Sequence, residues 1–120
     1  MKIALVSPYD FAYPGGVTSH IAHLDDELTR RGHYTRILAP SSRPATSLGH
    51  PRLVVLGKPF PWPSNGSYAR ITVSWGLMPR IRRLLREEQF DIIHLHEPFC
   101  PFLPTDVLQL SNTYNVATFH

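Results

Sequence analysis

With 120 residues the chain has enough material for one modest hydrophobic core, and a 42% hydrophobic content with 18% charged residues excludes a disordered segment. Twelve Lys and Arg against nine Asp and Glu leave a net charge of +3, which favours anionic partners mildly but excludes a dedicated nucleic-acid binder. A single cysteine, Cys100, rules out an internal disulfide and a paired-thiol zinc site and fits a reducing, cytoplasmic setting, and no apolar run reaches the length of a membrane span.

Lys2 to Val6 is a short, nearly continuous apolar run, the pattern of a strand buried on both faces of a parallel sheet. It feeds through Ser7-Pro8-Tyr9-Asp10 into Pro14-Gly15-Gly16-Val17, where an amphipathic helical pattern begins. Two glycines let backbone approach a ligand with no Cβ in the way, and the helix that follows aims its terminal N–H groups and positive dipole end at the same spot. A phosphate or diphosphate is the guest that suits it. No G-x-G-x-x-G spacing accompanies the glycines, so a dinucleotide site is rejected.

Over Val17 to Arg31 the positions Val17, Ile21, Leu24 and Leu28 form the apolar stripe of a helix, with Asp25, Asp26, Arg30 and Arg31 placed off it, and Gly32 as the stop. Tyr34 to Ala39 reads as a second strand, ended by Pro40 and a polar loop through Pro51, and Leu53 to Leu56 as a third. Pro59, Pro61, Pro63 and Gly66 punctuate Lys58 to Ser67, which is therefore expected to be an irregular surface loop presenting Phe60 and Trp62. Tyr68 to Trp75 has β-forming composition.

Leu77 to Gln89 is helical by period, with Leu77, Ile81, Leu84 and Leu85 on one arc and Arg80, Arg82, Arg83 and Arg86 on the opposite side. Glu88 alone interrupts the apolar arc. Four arginines on one face suit either plain solvation or contact with an anionic lipid surface. Asp91 to His96 reads as a strand, Thr105 to Asn112 as a short helix and Val116 to Phe119 as a final strand. Alternating strands and helices imply a doubly wound parallel α/β sheet, Rossmann-like, which binds ligands at the carboxyl ends of its strands. Tyr9, Gly15, Gly16, Glu97 and His120 all follow such ends. His94 and His96 share a strand face and His20 and His23 a helix, but with no carboxylate cluster beyond Glu97 they are read as hydrogen-bonded side chains and not as metal ligands. A strand ending at the last residue, His120, suggests a fragment or half of a two-domain machine.

Ser7-Pro8-Tyr9, Pro14-Gly15-Gly16-Val17, the stretch Asp91 to Pro98 and Val116-Ala117-Thr118-Phe119-His120 together resemble the N-terminal domain of retaining GT-B glycosyltransferases. The likeness is greatest to the phosphatidylinositol mannosyltransferase group, in which spaced prolines, Asn-Gly-Ser and Ala-Arg precede the basic helix, as Pro61, Pro63, Asn65-Gly66-Ser67 and Ala69-Arg70 do here. The resemblance implies that residues 1–120 form a single, incomplete acceptor-side domain, the C-terminal donor domain being absent. It implies sugar transfer from a nucleotide-sugar donor, GDP-mannose, to a lipid acceptor such as phosphatidylinositol, with retention and with no metal or other cofactor. By the same resemblance Gly15 and Gly16 meet the donor diphosphate and sugar, Tyr9, Thr18, Asn65, Ser67 and Arg70 line the acceptor pocket, and His120 sits beside the reacting sugar. Arg80, Arg82, Arg83 and Arg86 become a membrane contact of an enzyme held peripherally on the cytoplasmic face. Members of that group often carry Gln after Gly-Gly-Val and an acidic residue shortly before the glycines; Thr18, Ala12 and Tyr13 depart from this, which leaves the acceptor open to another lipid or a glycan. The alternative is a non-catalytic α/β module that binds anionic membrane or phosphate ligands through its arginine helix.

Overall fold

The computed structural model describes the backbone of residues 1–12, 15–44, 47–57, 59–64, 67–72, 77–96, 103–111 and 113–119, without the side chains of 59–64, 67–72, 77, 103, 105, 106 and 109. The elements run β1 (Lys2–Val6), α1 (Gly16–Arg30), β2 (Tyr34–Ala39), β3 (Leu53–Val55), β4 (Pro59–Ser64), β5 (Ser67–Thr72), α2 (Leu77–Glu88), β6 (Ile92–His96), α3 (Leu103–Leu110) and β7 (Tyr114–Thr118). Five strands form one parallel sheet in the order β3-β2-β1-β6-β7.

β1 is central because its side chains are apolar on both faces. Ala4 and Val6 join Leu38, Ile93 and Leu95 in a core closed by Ile81 of α2 and Val107 of α3, while Ile3 and Leu5 join Ile37, Leu53 and Phe11 in a core closed by Ile21 of α1. Helices therefore cover both faces, as in a doubly wound sheet. The chain builds outward from β1 through β2 to β3, then returns to place β6 on the other side of β1. That reversal is the topological switch point, and the crevice it opens lies between the carboxyl ends of β1 and β6.

Gly32 ends α1 as its sequence position predicts. At φ 91° its N–H donates to the Thr29 carbonyl, and the His33 N–H donates to the Leu28 carbonyl, the paired bonds of a Schellman cap.

Asp25 departs from the expected pattern. It is 2% exposed, on the inner side of α1 one turn beyond Ile21. Its carboxylate accepts the Thr35 hydroxyl at 2.5 Å from β2 and the Arg52 guanidinium at 2.7–2.8 Å. The bond to Asp25 is also the main reason that the Arg52 proton is held more firmly than in a free arginine. The helical period assigns this charge to solvent, whereas two partners supplied by the sheet edge offset the cost of burying it. This cluster sits towards the amino ends of the strands, away from the switch point. Asp25→Ala should accordingly lower stability by about 2 kcal/mol in urea unfolding without changing ligand affinity.

Glu88, the acid within the apolar arc of α2, reaches Lys2 of β1 at 3.5 Å, which accounts for a charge at that position.

Residues 59–64 and 67 lie in strands and not in the expected loop. β4 and β5 form an antiparallel ribbon in which Pro59, Pro61 and Pro63 stand opposite Thr72, Arg70 and Tyr68. Prolines spaced by two remove N–H groups from one edge of a strand only, so the edge carried by Phe60, Trp62 and Ser64 stays complete for pairing. Ser64 pairs with Ser67, and the sequence between them is Asn65-Gly66, which lies outside the described residues. Asn-Gly between β-forming runs is a strong hairpin signal, and here it outweighs the proline count.

Candidate functional site

The segment after β1 is fixed by a succession of short-range bonds. The Ser7 N–H donates to the Leu38 carbonyl at 2.9 Å, extending the ladder one residue beyond β1. The Ser7 hydroxyl accepts the Tyr9 N–H and donates to the Tyr9 carbonyl, both at 3.2 Å, which turns the chain at buried Pro8 and leaves Tyr9 half-buried. Phe11 N–H donates to the Pro40 carbonyl at 2.9 Å, and its ring packs against the His50 ring edge-on, centroids 5.1 Å apart. Between them lies Asp10, 1% exposed, whose Oδ1 accepts the Ala12 N–H and the Ser42 N–H, each at 3.0 Å.

The chain then enters α1 on Gly15, which is extended (φ −177°, ψ 165°) and caps the helix without a side chain. Its carbonyl accepts the Ser19 N–H at 2.9 Å and the Thr18 hydroxyl at 3.1 Å. Both glycines are exposed. Among the described residues neither is demanded by packing: a Cβ on Gly15 would meet Thr18 Oγ1 at an ordinary 3.7 Å, and one on Gly16 would meet none of their atoms within 4 Å. Open space over the first turn of a helix is the geometry of an anion cradle.

Across the switch point, β6 ends in His94 and His96. Their rings stack 4.4 Å apart, His96 is wholly buried, and the exposed His20 of α1 meets His96 edge-on at 5.6 Å. His94 Nε2 lies 2.7 Å from the Thr118 hydroxyl, which ties the end of β7 to β6. Three imidazoles thus meet where α1 approaches the carboxyl end of β6, a convergence that sequence spacing alone does not reveal.

Tyr9, Gly15, Gly16 and Thr18 are therefore brought together at one end of the sheet. Thr18 is buried and turns its hydroxyl to the Gly15 carbonyl, so it shapes the junction. Ser67 and Arg70 lie on β5, where only the backbone is described; Asn65, Glu97 and His120 lie outside the described residues. Arg80, Arg82, Arg83 and Arg86 are all exposed on α2, but the Arg80 guanidinium donates to the Val55 carbonyl at 3.2 Å and so anchors the helix to β3. Among the described residues no helix is long and apolar enough to cross a membrane.

A sequence-family model described as Glycosyltransferase Family 4 matches residues 14–120. The chain belongs to glycosyltransferase family 4. Among its relatives, a phosphatidyl-myo-inositol mannosyltransferase of Mycobacterium leprae is 44% identical over all of this chain and 32% of its own length. The same-named protein of Propionibacterium freudenreichii is 37% identical over all of this chain and 33% of its own. A phosphatidylinositol N-acetylglucosaminyltransferase subunit of Arabidopsis thaliana is 23% identical over 82% of this chain and 22% of its own. This family member thus spans about a third of the length of the mannosyltransferases it matches.

Proposed function

We propose that the chain is the acceptor-side domain of a retaining GT-B mannosyltransferase that moves mannose from GDP-mannose to phosphatidylinositol at the cytoplasmic face of a membrane. The observation that carries this reading is the pair of exposed glycines at the start of α1, where no packing or backbone constraint among the described residues calls for glycine. As the sugar–phosphate bond breaks, negative charge grows on the leaving diphosphate while the sugar becomes oxocarbenium-like. Fixed backbone N–H groups and a helix dipole stabilise that charge without reorganising, so no metal is required of the site. Gly15 and Gly16 take the donor diphosphate and sugar. Tyr9, together with Asn65, Ser67 and Arg70, faces the inositol phosphate, and His120 sits beside the reacting sugar.

The acceptor is supported by the relatives' names. Two bacterial mannosyltransferases and one plant N-acetylglucosaminyltransferase component, which differ in the sugar named, are all named for phosphatidylinositol. Departures at Thr18 and Ala12 then tune the pocket around that head group.

The test uses the full-length protein with radiolabelled GDP-mannose and vesicles containing phosphatidylinositol. Label should pass into the lipid fraction as an α-linked mannoside, at a rate unaffected by EDTA. Folded protein that transfers no mannose to phosphatidylinositol would sink the proposal.

A further inference from the structure

We infer that Asp10 is a positioning residue for this reaction, holding the Tyr9 loop in register for the acceptor; the inference rests on the function proposed above. Burying a carboxylate completely is a costly way to stabilise a turn, since a serine or asparagine in a loop can accept one N–H at far less desolvation cost. What Asp10 does with its position is different. One oxygen accepts an N–H from its own loop, at Ala12, and another from Ser42, 32 residues further along the chain. Ala12 lies in the loop after β1 and Ser42 in the loop after β2, so the bonds join the carboxyl ends of neighbouring strands on one bank of the crevice. Ser42 is itself held in a tight turn, the Ser41 hydroxyl donating to the Arg43 carbonyl at 2.6 Å and accepting the Arg43 N–H at 3.1 Å. The clamp therefore ties Tyr9 and its neighbours to a rigid support.

The effect is local in a way that gives a kinetic signature. Gly15 is fixed separately, by the bonds its carbonyl receives from Ser19 and Thr18. Loss of the clamp loosens the loop at Tyr9 and leaves the start of α1 in place. Acceptor binding should suffer and donor binding should not.

In the full-length protein Asp10→Ala should raise the KM for phosphatidylinositol about tenfold, with the KM for GDP-mannose and kcat within about twofold. Asp10→Asn keeps an oxygen acceptor of the same shape and should restore most of the acceptor affinity. In hydrogen exchange, the Ala12 and Ser42 amides should lose protection in Asp10→Ala and regain it in Asp10→Asn, while the amides of β1 and β6 stay unchanged. The inference is overturned if Asp10→Ala leaves the acceptor KM alone, if both KM values rise together, or if asparagine rescues no better than alanine. Should the wild-type protein transfer no mannose at all, the proposed reaction fails, and unaltered exchange at Ala12 and Ser42 would then dispose of the clamp as well.

Discussion

Gly16→Ala in the full-length protein should cut kcat/KM for GDP-mannose about 100-fold while leaving the melting temperature unchanged or slightly higher. The two halves of that expectation have separate physical origins. Gly16 is the first residue of α1, its φ is not in the left-handed region, and an added methyl group meets no atom of the described residues within 4 Å. Alanine is the better helix former by up to about 1 kcal/mol, and it also restricts the unfolded chain. Contacts with the described residues therefore give no steric reason for stability to fall. The added carbon instead occupies the space above the first helical turn, where the diphosphate is to approach the backbone. Losing contact with one such preorganised donor costs on the order of 100- to 1000-fold in other oxyanion sites. Gly32→Ala is the matched control, because Gly32 sits at φ 91° and lies at the far end of α1. It should lower stability by about 1 kcal/mol and leave donor kinetics alone. Thermal melts and donor kinetics on the two variants read both halves. A Gly16→Ala protein with full donor kcat/KM, or one that melts early, contradicts the cradle.

The place of the two glycines at the start of α1 was legible because everything that sets it is local: an apolar strand and an amphipathic helix within the first 30 residues. β1 was legible for a related reason, since a strand buried on both faces is apolar at nearly every position, and β2 because its β-forming run is bounded by Gly32 and Pro40. Where partners are distant the sequence is silent. Asp25 looks like a solvent-facing charge until Thr35, ten residues on, and Arg52, 27 residues on, come to it across the fold. Asp10 looks like a turn residue until Ser42 arrives. His20 and His96 are ordinary residues of separate segments and touch only because α1 passes the end of β6. β4, and with it the ribbon it forms with the β-forming run of β5, was missed for another reason. Its signal is present, but prolines count against a strand only when they remove N–H groups from the pairing edge, and their spacing of two had to be read before their number.

Arg82, Arg83 and Arg86, changed together to glutamine, should weaken binding to vesicles rich in anionic lipid by about 100-fold. On α2 these three fall within an arc of about 100°, opposite the arc that contains Ile81, Leu84 and Leu85. All three are exposed, whereas Ile81 is fully buried in the core beneath. Arg80 does not belong with them, because its guanidinium is held on the Val55 carbonyl at the edge of the apolar arc. Glu88 cannot neutralise the arginine face either, since it lies within the apolar arc and pairs with Lys2. Each basic residue near an anionic membrane contributes about 1 kcal/mol, so three give about 3 kcal/mol, somewhat more than 100-fold in the partition constant. The attraction is screened over about 10 Å at 0.1 M salt, so wild-type binding should fall steeply between low and physiological ionic strength, and binding by the triple variant should hardly change. Arg30 and Arg31 provide the comparison: both are exposed, but both are paired with Glu27, and replacing them with glutamine should leave vesicle binding nearly intact. Sedimentation with neutral and with anionic vesicles distinguishes the cases. If the triple variant still sediments with anionic vesicles like the wild type, another surface carries the enzyme to its lipid. If it fails to bind yet still transfers mannose to detergent-dispersed phosphatidylinositol, the arginine face and the glycine junction are separate devices, one for finding the membrane and one for the chemistry.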